Sequence, residues 1–235
     1  MPDTSATAGD LPAGDEKVRM VRSMFDAIAP RYDLVNRIMT FRLDVGWRRR
    51  TVRELGLPRG STVLDVAAGT GDLCRELAGA GHRPIGVDLS FGMLAAARTT
   101  APLLQGDALR LPLPSAALDG ATCGFALRNL AELPAFFTEL ARVVRPGGRI
   151  GLLEVAEPGN PVLRWGHGLY FGRVVPRIGA LLSDADAYRY LPRSVAYLPE
   201  PLLLVSLLRS AGFGDARRIT LSGGISQLLV GTRDR

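Results

Sequence analysis

The chain has 235 residues, 47% hydrophobic and 22% charged, an ordinary globular composition for one large domain around one core. Its 29 Lys+Arg against 23 Asp+Glu give a formal charge of +6, yet no run of five or six basic residues appears, so the excess arginine reads as composition rather than a nucleic-acid arm. Two cysteines without ligand spacing and two distant histidines exclude a disulfide framework and a metal site, and apolar runs such as Leu202–Leu208 are too short to span a bilayer.

Residues 1–15, rich in Ala, Gly, Pro, Thr and Asp, read as a disordered tail ahead of a single domain over 16–235. No basic segment followed by an apolar one opens the chain, so a cytoplasmic protein is expected. Helices are expected over 16–56: a stripe of Val18, Val21, Phe25 and Ile28 stopping at Pro30, then Arg31–Met39, then Asp44–Leu55. Arg48, Arg49, Arg50 and Arg53 lie on the third and read as a solvated face. Strands and helices then alternate. Strands are expected at Thr62–Ala67, Arg83–Val87, Leu103-Leu104, Leu118–Leu127 and Arg149–Val155, with helices at Asp72–Ala80, Ser90–Arg98 and Pro134–Val144. That alternation implies βαβ units and a parallel, doubly wound sheet. Residues 156–198 lack a clean period and read as an inserted helical cap, Pro199–Ala211 as a helix, and 215–232 as a terminal antiparallel hairpin around Ser222-Gly223-Gly224.

The strongest local pattern is VLDVAAGTGDL, Val63–Leu73. A strand turns sharply into a helix there, and Gly69, Thr70 and Gly71 let backbone approach a ligand closely. Asp65, just before the turn, is placed to reach the amino end of a methionine-like ligand. A dinucleotide site would want a third glycine where Cys74 stands. Asp88 ends the next strand, where a carboxylate can accept both hydroxyls of a ribose; it competes with a helix-capping role that Ser90 fills equally well. Asp107, in Gly106-Asp107-Ala108, is placed for an adenine amino group or for a simple Asx turn. Three strand-end features in order, spaced by helix-length segments, favour S-adenosylmethionine over a nicotinamide cofactor.

The segments FDAIAPRYDLVNRIMTF (Phe25–Phe41), VLDVAAGTGDL, FALRNL (Phe125–Leu130), RVVRPGGRIGLLEVAEP (Arg142–Pro158) and DADAYRYL (Asp184–Leu191) together resemble the UbiE/MenG quinone C-methyltransferases, in order from about Phe25 to Gly231. The resemblance implies a class I, Rossmann-like methyltransferase fold. It also implies methylation of a ring carbon of a prenylated hydroquinone. The Arg- and Ala-rich wording, similar to actinobacterial sequences, selects demethylmenaquinol over the ubiquinone precursor. Thr70, Asp88, Asp107 and Ala108 fall on the family's cofactor positions, and Tyr32, Asp33 and Asn36 on the helices that close over the cofactor. Arg128 and Asn129 match a strand-end pair facing the substrate; Asp184, Tyr188 and Tyr190 match the cap motif. Three departures lie on the substrate side. Arg42-Leu43-Asp44 stands where the family usually shows Gly, an aliphatic residue and His; Ala68 replaces a Gly; and SQLLVG (Ser226–Gly231) lacks a further His.

On this reading Arg128 stabilises phenolate charge, Asp184 or Tyr188 takes the proton or positions the ring, Asn129 and Tyr190 hold the substrate, and His167 lines its entrance. The cap, with Arg164, Arg173 and Arg177 among aromatic and aliphatic residues, suits a prenyl tail, an anionic membrane surface or plain packing as a lid. Monomer and homo-oligomer both stay open. A methyltransferase of another phenol and a non-catalytic adenosylmethionine-binding protein are the competing readings. A reductase is disfavoured by the missing third glycine and the lack of a Tyr-x-x-x-Lys pair. A nucleic-acid amino-methyltransferase is disfavoured by FALRN where an Asn/Asp-Pro-Pro-Tyr motif would stand.

Overall fold

The computed structural model describes residues 13–175, 177, 190 and 193–235. Its strands are β1 (Thr62–Val66), β2 (Arg83–Asp88), β3 (Leu103–Gln105), β4 (Leu118–Gly124), β5 (Val144–Val155), β6 (Arg217–Leu221) and β7 (Ser226–Thr232). They form one sheet in the order β3-β2-β1-β4-β5-β7-β6. Neighbours are parallel from β3 through β5; β7 runs antiparallel to both β5 and β6. The strand order reverses beside β1, and in open α/β sheets the crevice at that switch point holds the ligand.

Helices cover both faces: α1 (Gly14–Ile28), α2 (Tyr32–Met39), α3 (Leu43–Leu55), α4 (Asp72–Gly79), α5 (Phe91–Ala95), α6 (Leu133–Val143), α7 (Pro161–Leu169) and α8 (Pro201–Ser210). On one face Phe136, Phe137 and Leu140 of α6 and Leu204 and Leu208 of α8 join strand residues such as Ile150 and Leu229 in the main core. On the other, Val52 and Leu55 of α3 pack with Val63, Leu73 and Leu77. Cover on both faces explains why four of the five residues of β1 are buried rather than alternate ones. A separate cluster joins Ile28, Val35 and Met39 to Val175, Tyr170 and Phe171, so the described part of the cap packs on the N-terminal helices. That part comprises α7, a π-helical turn at Tyr170–Val174 and a 3-10 turn at Val195–Tyr197. No helix among the described residues is long and apolar enough to cross a membrane.

Four local expectations need correction. The first helix starts at Gly14, inside the segment expected as a tail. The helix after Ser90 ends at Ala95, not Arg98, because the Arg98 amide leaves the helical ladder to bond the Thr70 carbonyl at 3.0 Å. β4 stops at Gly124, because Phe125 takes a left-handed φ of 59° and starts a 3-10 turn, Leu127–Asn129. Finally, Arg48 is buried rather than solvated. Its guanidinium pairs with Asp44 one turn back and with Asp72 of α4 at 3.2 Å, while Arg49 and Arg50 remain largely exposed.

Candidate active site

The carboxyl ends of β1, β2, β3 and β4 open into one cavity with about 1080 Å³ of empty space, mouth included. It is lined by Tyr32, Asp65, Gly69, Thr70, Asp88, Asp107, Ala108 and Asn129, eight residues singled out from sequence. Asp65 and Asp88 lie at strand ends, the turns after the strands carry Gly69, Thr70, Asp107, Ala108 and Asn129, and α2 supplies Tyr32.

The glycine loop has the geometry its sequence demands. Gly69 (φ 55°) and Gly71 (φ 83°) occupy left-handed backbone, and a Cβ on Gly71 would lie 2.7 Å from the Thr99 methyl. Gly71 does not line the cavity; it caps α4 from behind the loop. Ala67 (φ 54°) and Phe125 are left-handed without being glycine, a strain of roughly 1–2 kcal/mol each, and both line the cavity.

Three carboxylates line up along the strand ends. Asp65 is 1% exposed, accepting a hydrogen bond from the Thr122 hydroxyl at 2.9 Å with the Cys74 thiol 3.6 Å away. Burial pushes its carboxyl up to about 7. Asp88 accepts the Gly69 and Ser90 amides, each at 2.8 Å; burial raises its carboxyl and those N–H groups oppose the rise. The capping of α5 falls to Ser90, whose Oγ accepts from Met93 N at 3.1 Å. Asp107 forms the Asx turn, Oδ1 accepting from Leu109 N at 2.9 Å, and still faces the cavity.

The N-terminal helices roof the cavity. Val18, Val21, Arg22 and Phe25 of α1 line it, a contribution sequence reading missed although the helical stripe carrying it was visible. Three side chains of the N-terminal helices hold the roof. Asp26 accepts from Ser90 Oγ (2.5 Å) and Gly92 N (2.9 Å), and Asp33 of α2 accepts from Thr70 Oγ1 (2.5 Å). Lys17 donates to the Leu130 carbonyl at 2.7 Å while lying 3.7 Å from the centre of the Tyr197 ring, and burial pulls its ammonium down to about 8. Burial also raises the Tyr32 hydroxyl.

Arg128 does not line the cavity, although Phe125, Ala126 and Asn129 around it do. It is buried and ion-paired with Glu154 of β5, a wholly buried acid not singled out from sequence. Its neighbour Asn129 reaches the cavity and accepts from the Tyr190 hydroxyl at 3.2 Å, and burial pushes that hydroxyl up to about 12. His167 does not line the cavity. It stacks on Phe171 with ring centres 4.3 Å apart, on a helix none of whose residues is buried, and the entrance role expected of it draws no support from the cavity lining. Asp184 and Tyr188 lie outside the described residues.

The model of the ubiE/COQ5 methyltransferase family matches residues 12–233. The chain belongs to the ubiE/COQ5 methyltransferase family. It is 42% identical over 223 residues to the ubiquinone/menaquinone biosynthesis C-methyltransferase UbiE of Syntrophotalea carbinolica, covering 90% of this chain and 93% of that one. It is also 42% identical over 234 residues to the demethylmenaquinone methyltransferase of Deinococcus radiodurans, covering 94% and 97%. A crystal structure of a SAM-dependent methyltransferase from Thermotoga maritima shares the fold, with TM-score 0.63, 19% identity, and 90% and 98% of the two chains covered. The ubiE/COQ5 member described here is therefore a methyltransferase, and its cofactor is S-adenosylmethionine. The cavity fits that group: Asp65 is a buried acid whose hydrogen-bond partners, Thr122 and Cys74, are neutral, which a cationic amino-acid end would complete, and Gly69 presents no side chain to the cavity.

Proposed function

We propose that this enzyme methylates a ring carbon of a prenylated hydroquinone, with demethylmenaquinol as the acceptor. The observation that carries the reading is one cavity with carboxylates at three successive strand ends and, across from them, Asn129 backed by Arg128. The kinship with quinone-pathway C-methyltransferases supports the same acceptor class.

Bound S-adenosylmethionine supplies an electrophilic methyl group on a positively charged sulfur. Asp65 would hold its ammonium, Asp88 its ribose hydroxyls, and Asp107 with the Ala108 backbone its adenine. Gly69, Thr70 and Gly71 shape the loop, and Tyr32 closes the roof. The acceptor ring becomes a carbon nucleophile when a hydroxyl beside the reacting carbon loses its proton. Arg128 favours that phenolate through its positive field, although Glu154 offsets part of it. Asn129, its carbonyl oxygen engaged by Tyr190, keeps its NH₂ for the acceptor oxygen. Asp184 or Tyr188 takes the phenolic proton; once the ring carbon carries the methyl, its own hydrogen leaves as a proton that returns to the phenolic oxygen, restoring the aromatic ring. The apolar side chains of α1 exclude water. A prenylated acceptor is dissolved in a bilayer, so the reading includes peripheral contact at the inner membrane face.

The test is transfer of labelled methyl to reduced demethylmenaquinone, to the ubiquinone precursor and to a panel of simple phenols. Preference for demethylmenaquinol in kcat/KM supports the reading. Preference for a simple phenol overturns the acceptor and leaves the enzyme class untouched.

A further inference from the structure

Nine of the thirteen exposed large hydrophobic side chains among the described residues sit on two neighbouring segments, 34–43 and 162–174. On α2 and the turn after it, Leu34, Ile38 and Phe41 recur at helical spacing; on α7, Val162, Trp165 and Leu169 do the same. Each segment already buries a different apolar face: Val35 and Met39 of the first cluster with Tyr170 and Phe171 of the second and with Val175 just after it. The exposed stripes are therefore an additional apolar surface. Two contacts set them side by side. The Phe41 and Tyr170 rings lie 5.7 Å apart, and the Tyr170 hydroxyl donates to the Met39 carbonyl at 2.9 Å. Trp165 and Phe41 are each 73% exposed, unusual for isolated surface positions and typical of interfaces.

The exposed charge that these two segments carry has one sign. Residues 31–43 and 161–174 together hold five arginines and a single acid, Asp33, whose carboxylate turns inward to Thr70. Arg37 is taken up by Asp44 and Asp72, while Arg42, Arg164 and Arg173 stay exposed. A second copy of this chain docking through a two-fold axis would set arginine against arginine. An anionic lipid bilayer meets both requirements: headgroup phosphates for the arginines and an acyl boundary for Trp165, Phe41 and the aliphatic stripes. The surface also belongs to the roof of the active site, since Phe25 and Tyr32 touch both the cavity and the cluster beneath the stripes.

We propose that this two-helix face docks the enzyme on an anionic lipid bilayer. The inference rests on the prenylated-quinol reading only for its purpose, which is to bring the roof of the cavity to the surface where the acceptor resides.

The experiment is sedimentation of the full chain with phosphatidylcholine vesicles with and without phosphatidylglycerol. Wild type is expected to pellet with the anionic vesicles and to be released by salt. Phe41→Glu/Trp165→Glu and Arg42→Glu/Arg173→Glu are expected to weaken binding about tenfold or more. All four substituted residues, Phe41, Trp165, Arg42 and Arg173, are exposed, so both variants should unfold at about the wild-type temperature. Transfer to a short-chain, water-soluble demethylmenaquinol should be unchanged in them, and transfer to long-chain quinol in vesicles should fall about as much as binding. Absence of wild-type binding, or undiminished binding by both variants, overturns the docking face. So does a wild-type dimer that the substitutions dissociate while vesicle binding persists. Normal vesicle binding without transfer to either quinol supports the face and sinks the substrate reading instead.

Discussion

The Arg128 guanidinium is ion-paired with the wholly buried carboxylate of Glu154, whose second oxygen accepts Arg128's own amide at 3.2 Å. Arg128 also donates to the Phe125 carbonyl at 3.0 Å and to Ser194 Oγ at 3.1 Å. It therefore joins the β4 end to β5 and to the returning cap. Arg128→Ala should strand a buried carboxylate and lower stability by about 3–5 kcal/mol, read by denaturant unfolding. Arg128→Met/Glu154→Gln should recover most of that stability. Recovered stability with turnover still lost supports a direct role for Arg128 on the phenolate. Recovered turnover would make it a positioning residue only.

Asp88→Ala removes a charged acceptor at the β2 end and frees the Gly69 amide it holds. A charge-assisted hydrogen bond is worth roughly 1.5–3 kcal/mol, so donor affinity should fall about one to two decades by calorimetry. An unchanged dissociation constant removes Asp88 from the donor site.

Donor binding should be coupled to protons through Asp65. Its carboxyl sits near 7 in the folded protein against about 4 in an unfolded chain. The folded state holds the extra proton between those values, so this group's contribution to stability falls as pH rises from about 4 to about 7. A cationic ligand prefers the carboxylate. Binding should then release a proton below pH about 7, with affinity rising up to that point and levelling above it. Calorimetry in buffers of different ionisation enthalpy measures the release, which Asp65→Asn should abolish. Release that persists in the variant would point to another group.

Asp44 stands where the family resemblance implies a His. Burial pushes its carboxyl up, but Arg48, Thr40 and Arg37 outweigh that and hold it below the usual range. Its stabilising contribution is present above pH about 4 and lost as pH falls through the depressed value. Asp44→His should therefore not restore a family-like site; it leaves Arg37 and Arg48 short of a counterion. Because Asp72 still faces Arg48 at 3.2 Å, the loss should be roughly 3 kcal/mol, the low end for a broken buried pair. Wild-type stability in this variant would show that the network tolerates loss of the carboxylate.

The sheet and the donor side were legible because they depend on local chemistry: apolar strands, Gly69 and Gly71 at a tight turn, and an acid at or near the end of each of the first three strands. Ser90 could be recognised as a helix cap for the same reason. What escaped depends on residues far apart in the chain. Arg48 sits in a run of three arginines and reads as surface until α4 brings Asp72 to it. Glu154 reads as one acid in an apolar strand, yet its partner lies 26 residues earlier. The roof escaped for a different reason: Val18, Val21 and Phe25 announce an apolar face without saying what it covers. Nor does the Leu118–Leu127 run disclose the left-handed Phe125 that ends β4 and turns Arg128 toward Glu154.

The most direct test of ring-carbon transfer is nuclear magnetic resonance of the product formed from ¹³C-methyl-labelled S-adenosylmethionine and reduced demethylmenaquinone. The predicted result is a methyl signal on the quinone ring carbon, absent when the acceptor is supplied oxidised. Label on an oxygen, or no label on the quinol while another phenol is methylated, would contradict it.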